Sequence, residues 1–477
     1  MTARVTIIGG GLAGLAAAES LSRFGTDKVA IRLIESRRQT GGRAGSFHDS
    51  ASGQTVDYCQ HVAMGCCTNF IDFVQRMKLD RHFRVYDQLT FLHRSGSSRF
   101  AASRRIPPPL HLAGAFGRLS YLSWPQKCRV AYGVWRLMRT PASELRQLTA
   151  KQWLIRNRQD DACIANFWDV ILVSALGEHT RYAAADAAQK VILDGFASHP
   201  DASDVWVPAM PLSELFGIQA TERIQRDGVD VIRGAPVRTV VRSNGSFQIR
   251  TASGQQTADA VIAAVPWHQM AKIDWQTNSD RGNDWFARFA SIPSSAITGI
   301  HLWLDRPITT LPHVVLVGTL AQWLFREPIA ETKHQSTNDR VGGTPAFYHQ
   351  IVISGAVDVA GESKEALVSQ VMQELRDFFP DARDAKLLRH RVVTDPNSVF
   401  SVTPQVQELR PAIDTPVDGL FLAGDWVDTG WPSTMEGAVR SGRLAAARVA
   451  QRCGLNPSPL TPDLSPGRLY RWFSNGP

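Results

Sequence analysis

Apolar runs at the start of the chain alternate with glycine-marked turns. Residues 5–8 (Val-Thr-Ile-Ile) are a short β-branched run that predicts a strand. Residues 12–24, rich in alanine and leucine at helical spacing, predict a helix, and residues 29–35 a second strand of Val, Ile and Leu. Strand, helix and strand in this order make one βαβ unit, which favours a right-handed crossover and a parallel sheet. Residues 230–233, 237–242, 247–251 and 258–265 read as further strands, with Ser243-Asn244-Gly245 as a hairpin turn. A mixed helical and strand region follows to about residue 389. Residues 419–423 predict a last buried strand and then a helix through residue 450. Pro457, Pro459, Pro462 and Pro466 mark a poorly structured tail, and there is no internal repeat.

Residues 106–139 depart from this pattern. Pro107-Pro108-Pro109 breaks any regular element, and Phe116, Tyr121, Trp124, Tyr132 and Trp135 then mix with Arg118, Lys127, Arg129, Arg136 and Arg139. No acidic residue interrupts them. Apolar and aromatic positions combined with positive charge alone suit an interfacial helix. They equally suit a helical core with solvated arginines.

A chain of 477 residues exceeds one ordinary core, so two domains are expected. The net charge of +8 fits either a soluble surface or a face resting on anionic lipid. The arginines are scattered and no nucleic-acid motif is present, so nucleic acid is not an expected partner. Cys59, Cys66, Cys67, Cys128, Cys163 and Cys453 lack metal-ligand spacing, so no metal is expected. Adjacent Cys66 and Cys67 would bridge only with strain, which fits a reduced, cytoplasmic setting. The opening apolar run is too short for a signal peptide, and no apolar stretch reaches spanning length.

The chemistry-bearing residues lie at both ends. Gly9-Gly10-Gly11-Leu12-Ala13-Gly14 follows the first strand and opens the first helix. In this pattern Gly9 permits a tight turn, Gly11 lets a pyrophosphate approach the backbone, and Gly14 lets helix and strand pack closely. Glu35 ends the second strand, where its carboxylate can accept ribose hydroxyls. Gly41-Gly42-Arg43-Ala44-Gly45 follows directly, with Arg43 as a charge-assisted phosphate donor, and this second glycine element favours FAD over NAD. Near the other end, Gly424-Asp425 terminates the last strand, where Asp425 can hold ribityl or phosphate-bridge hydroxyls. Ser433 and Glu436 have capping-box spacing, so a helix should start near Thr434. Its positive end can face the flavin edge that becomes negative on reduction. Glu436 serves either as a cap alone or more directly.

These blocks resemble the flavin-containing amine oxidase and carotenoid desaturase superfamily. Gly42 to Phe47, Val56-Asp57, Gln60-His61-Val62, residues 65–69 and residues 429–442 are similar to the squalene-associated FAD-dependent desaturases, understood as hydroxysqualene dehydroxylases. The resemblance implies an α/β fold: a discontinuous, two-dinucleotide-binding-type Rossmann FAD domain with an inserted mixed α+β substrate domain. The FAD domain is expected over residues 1–90, 205–285 and 390–452. The substrate domain is expected over 91–204 and 286–389, and the tail over 453–477. Leu12, Ala13, Val237, Thr434 and Met435 join the glycines, Glu35, Arg43 and Asp425 as expected cofactor contacts.

FAD should be non-covalent, because no cysteine lies between Phe400 and Arg452. Amine oxidases of the superfamily usually place a caging tyrosine where Thr434 stands, which lowers that reading. A glycine commonly precedes Gln-His in the dehydroxylases, whereas here it is Cys59. The implied activity is reductive removal of an allylic hydroxyl from a C30 isoprenoid, giving squalene. The alternatives are a polyene desaturase, an amine oxidase and a non-enzymatic prenyl-binding escort. Trp431 is the candidate aromatic wall for a cationic centre, or simply loop packing, and His61 is the candidate acid, or a loop-fixing histidine. Asp57 and Tyr58 are weaker candidates for the acid. A lipid-like substrate implies a peripheral position at the inner face of the cytoplasmic membrane, with an unidentified electron donor.

Overall fold

The computed structural model describes residues 2–252, 254–277, 285–326, 340–341, 344–356 and 361–474. Its centre is a five-stranded sheet in the order Asp230–Ile232, Val29–Ile34, Ala3–Ile8, Ala260–Ala263, Leu420–Leu422, every pair parallel. Parallel strands are covered on both faces, which is why Ile7, Leu33, Val261, Ile262 and Leu422 carry apolar side chains buried completely or nearly so. The sheet thus joins the first strand of the chain to the last through the strand Ala260–Ala263.

The helices Leu12–Ser22 and Met435–Arg452 lie against each other. A Cβ built on Gly442 would stand 2.1 Å from the carbonyl oxygen of Ala13, so only glycine permits the contact. The two ends of the polypeptide therefore meet as helices as well as strands. Beside them the strands Val237–Ser243, Ser246–Thr251 and Gly254–Ala258 form a meander. Its first turn uses Asn244 and Gly245, both at positive φ (48° and 80°), the combination that a two-residue hairpin of primed type requires.

A second layer is a seven-stranded mixed sheet in the order Leu387–Phe400, Ser294–Leu304, Phe347–Ser354, Trp323–Arg326, His313–Leu316, Gln88–His93, Gly96–Ala101. One face buries Ile300, Leu302, Ile351 and Ile353 with Val371 and Leu375 of the helix Lys364–Phe378. The expected boundaries at residues 90 and 389 fall inside two of these strands, Gln88–His93 and Leu387–Phe400. Composition does not mark them, because both strands carry polar positions no different from those of the neighbouring segments.

After Pro107-Pro108-Pro109, residues 106–139 contain the helices Ala113–Gly117 and Trp124–Arg139. Ser123 and Gln126 cap the second reciprocally. The tail is better anchored than its prolines imply. Thr461 exchanges hydrogen bonds with Asn69 in both directions (3.0 Å each), Asp463 pairs with Arg440 (2.6 Å), and Arg468–Phe473 is a short helix with Tyr470 buried. Among the described residues no helix is long and apolar enough to cross a membrane.

Candidate functional site

The first helix starts bare. Gly11 is its N-cap, no side chain caps it, and its first turn holds no acidic residue, so the leading N–H groups of Leu12 and Ala13 are left to a ligand. Three neighbouring glycines have three different reasons. Gly9 has φ +107°, and a Cβ there would lie 2.4 Å from the Ala264 carbonyl oxygen. A Cβ on Gly14 would lie 1.9 Å from the carbonyl oxygen of Gly9, so it is a packing glycine. On Gly11 a Cβ would meet only the Cα of Gly42, at 3.9 Å. Gly11 therefore faces space that a side chain would fill, which is the cradle an anion at this helix start needs.

The second glycine element forms the far wall of that cradle. Gly41 donates to the Gly10 carbonyl at 2.8 Å and bridges Gly11, while Gly42, at φ +65°, faces the Gly11 backbone. Glu35 is buried at the strand end. One carboxylate oxygen accepts from the Gly10 N–H (2.7 Å), the other from the Arg37 N–H (2.7 Å) and the Ser36 hydroxyl (3.0 Å). The turn before Val237 is tied to the same place, Ala235 N–H donating to the Glu35 carbonyl at 3.0 Å.

The opposite end of the chain closes on this assembly. Arg43 pairs with Oδ1 of buried Asp425 and donates to the Ser398 carbonyl (2.7 Å), with its guanidinium 5.5 Å from the Trp267 ring centroid. The other Asp425 oxygen accepts from the Ser433 hydroxyl, and the Gly424 N–H donates to Ser441 (2.8 Å). Thr434 is the N-cap of the last long helix, its hydroxyl accepting from the Gly437 N–H at 3.1 Å, and Met435 is the first helical residue. A dinucleotide phosphate at the first helix start and hydroxyl groups at Arg43 and Asp425 fit this donor and acceptor set.

Several sequence expectations change here. Ser433 does not cap the helix, because its hydroxyl goes to Asp425; the cap is Thr434. Glu436, fully buried, serves a different helix altogether. Its carboxylate accepts from the backbone N–H groups of Asn69 (3.3 Å) and Phe70 (2.7 Å) at the start of Thr68–Arg76, and Arg440 lies 3.2 Å away. Burial raises its pKa, against the pull of those donors.

His61 is not arranged as an acid. Burial lowers its pKa, partly opposed by the Cys59 hydrogen bond and reinforced by Arg43, so the ring is neutral at pH 7. Its Nδ1 lies 2.8 Å from the Cys59 carbonyl, which can only accept, so the ring proton is held there. Trp431 is buried with its ring already faced by cations, Lys190 Nζ at 4.6 Å and the Arg440 guanidinium at 5.7 Å, which leaves it poorly placed to stabilise another. Asp57, like Glu436, is a buried carboxyl whose environment favours the protonated form more than water does. Burial pushes its pKa up to about 6, against hydrogen bonds from Ser46 (2.6 Å) and the Leu212 N–H (2.8 Å).

Arg410 was not anticipated. It is buried, and its guanidinium donates to the carbonyls of Trp426 (3.3 Å), Val427 (2.7 Å) and Trp431 (2.6 Å) and to the Gln407 side chain (2.9 Å). It thereby shapes the loop between Asp425 and the helix cap. No local motif surrounds it, and a single arginine before a proline carries no signal of such a role.

The family profile for flavin containing amine oxidoreductases matches residues 12–450. Among curated relatives, the 15-cis-phytoene desaturase of Synechococcus elongatus is 24% identical, over 94% of this chain and 96% of its own length. The hydroxysqualene dehydroxylase of Zymomonas mobilis is 25% identical, over 92% and 97%. Among solved structures, an oxidoreductase from Methanosarcina mazei superposes with a TM-score of 0.68 at 15% identity, covering 92% of this chain and 98% of its own. Putrescine oxidase bound to putrescine gives 0.67 at 17% identity, covering 95% and 100%. These structures share the fold: a parallel Rossmann-like sheet with a mixed substrate sheet. FAD is the cofactor typical of the family. With the profile matched from the start of the first helix into the last long helix, the chain belongs to the flavin-containing amine oxidoreductase family.

Proposed function

We propose that this chain binds FAD non-covalently and acts on a C30 isoprenoid, removing the allylic hydroxyl of hydroxysqualene to give squalene. The observation that carries the reading is Thr434. Its hydroxyl is engaged in capping the helix on Gly437, and it offers no aromatic wall for an amine at the position where amine oxidases place a tyrosine. Full-length similarity to a hydroxysqualene dehydroxylase and to polyene desaturases supports an isoprenoid rather than an amine.

FAD supplies a hydride donor or acceptor when bound. The chain's own residues bind and orient it. Leu12 and Ala13 N–H groups beside Gly11, with Gly9, Gly14 and Gly42 allowing the approach, would hold the pyrophosphate. Glu35 and the turn before Val237 would hold the adenosine end, and Arg43, Gly424, Asp425, Thr434 and Met435 the flavin end. Departure of a hydroxyl needs a proton, and Asp57 is a buried carboxyl that can supply one. The substrate is a lipid, so the protein works at a membrane surface.

Desaturation of a polyene is the second reading. It is favoured by the phytoene and zeta-carotene desaturases among the relatives. Anaerobic incubation of the holoprotein with chemically reduced FAD and hydroxysqualene distinguishes the two. Squalene as product is the expected result. No turnover, with desaturation of phytoene or squalene by the oxidised holoprotein, would overturn the dehydroxylase reading.

A further inference from the structure

We propose that the outer face of the helix Trp124–Arg139, together with the C-terminal helix Arg468–Phe473, docks on a bilayer containing anionic phospholipid. The proposal deepens the isoprenoid reading and rests on it for the need to reach a membrane. The outer face of this helix adds exposed aromatic rings to the exposed Arg129 and Arg136. Val130, Gly133 and Leu137 point into the protein, and the exposed side carries Trp124 (71% exposed), Tyr132 (37%) and Trp135 (38%). An exposed helix face normally carries charged and polar side chains without such rings. Trp472, 76% exposed on the C-terminal helix, lies beside the end of this helix, where Arg139 donates to the Phe473 carbonyl at 3.5 Å. Two segments more than three hundred residues apart thus expose tryptophan on helices that touch, and tryptophan is the side chain that prefers the headgroup level of a bilayer.

The charge around these rings is mostly positive. Residues 106–139 hold five cations and no acid, and the C-terminal helix adds Arg468 and Arg471. Lys127 Nζ sits 4.9 Å from the Trp124 ring centroid, the Arg139 guanidinium 5.5 Å from Trp135, and that of Arg158 6.0 Å from Tyr132. Beside Tyr132 is a surface groove of about 580 Å³ lined by Cys128, Arg129, Tyr132, Arg158, Gln159 and Asp160. Arg129 pairs with Asp160, so two guanidinium groups and one carboxylate leave a single positive charge in the groove. That charge matches a phosphodiester headgroup, while the flanking rings match the acyl boundary. Charge complementarity therefore selects an anionic bilayer as the occupant.

The test is flotation of the full-length holoprotein with phosphatidylcholine vesicles, with and without phosphatidylglycerol. Binding should require phosphatidylglycerol and be released by salt. Combined Trp124→Ala, Trp135→Ala and Trp472→Ala should retain bound flavin yet lower partitioning at least about tenfold. Arg136→Gln with Arg158→Gln should lower it about thirtyfold. A polarity-sensitive fluorophore on Cys128, which is exposed, should shift to the blue on adding phosphatidylglycerol vesicles.

Equal flotation without the anionic lipid, or an unchanged tryptophan variant, would overturn the proposal. So would a lipid-free dimer that Trp124→Ala dissociates, which would make a second copy the occupant, or displacement from vesicles by duplex DNA at equal salt. Turnover in detergent separates the two readings. Flotation lost with detergent turnover intact counts against this surface alone, whereas flotation intact without turnover counts against the assigned substrate.

Discussion

The two helix starts that meet at the centre of this protein are built in opposite ways. The start at Gly11 is defined by missing side chains: no cap, no first-turn acid, and open space where a Cβ would stand. The start at Met435 is defined by side chains that are present. Thr434 caps it, Ser433 and Arg43 hold Asp425, Ser441 holds Gly424, and Arg410 gathers the carbonyls of the intervening loop. A bare start leaves its dipole and N–H groups to a ligand, while a crowded one fixes the position of a few groups aimed at it.

The comparison breaks first where the two helices touch. Gly442→Val puts a side chain into the Ala13 carbonyl, and we expect a loss of about 3 kcal/mol or more, with flavin retention lost as well. Denaturant unfolding of the apoprotein measures it, and wild-type stability would mean that the helices are not in contact. Arg410→Leu comes next, at about 3 kcal/mol, because several buried carbonyls lose their donor together. Arg410→Lys should restore little, since a single ammonium cannot reach carbonyls spread around a planar fork.

Asp57 gives a pH-dependent effect. Its carboxyl has a higher pKa in the folded protein, about 6, than in the unfolded chain, so its favourable contribution is complete below about pH 4 and disappears as pH rises through 6. Asp57→Asn should therefore gain on the wild type between pH 4 and 7, by on the order of 2 kcal/mol. A gap between the two unfolding curves that stays constant with pH would rule this out. The smallest effect sharpens the comparison at the cap. Thr434→Ala should cost about 1 kcal/mol of stability, whereas Ser433→Ala should spare the helix and weaken flavin binding instead, through Asp425.

The difference between the two starts also explains what was legible in the sequence. The βαβ unit and the bare helix start were readable because strand, glycine spacing and Glu35 lie within thirty-odd consecutive residues, and each glycine acts through its immediate neighbours. The last strand and its helix were readable for the same local reason. The cap was misplaced by one residue, because Ser433 and Thr434 are both competent and the choice between them depends on Asp425. Glu436 was read as either a cap or a more direct participant at the flavin, yet its partners are Asn69 and Phe70, more than 360 positions earlier. His61 and Trp431 looked available for chemistry because their occupants, the Cys59 carbonyl and the cations Lys190 and Arg440, appear only once the chain is folded. The seven-stranded sheet was hidden because most of its partners are distant and its edge strands are partly polar.

The central claim is that opposite ends of the chain grip one dinucleotide, and stoichiometric titration of apoprotein with FAD, followed by flavin fluorescence, tests it directly. The account predicts one FAD per chain for the wild type, at least about a hundredfold weaker binding for Gly11→Val with the fold intact, and a separate loss of binding for Asp425→Ala at the other end. Wild-type affinity in Gly11→Val, or an Asp425→Ala variant that binds FAD unchanged, would contradict it.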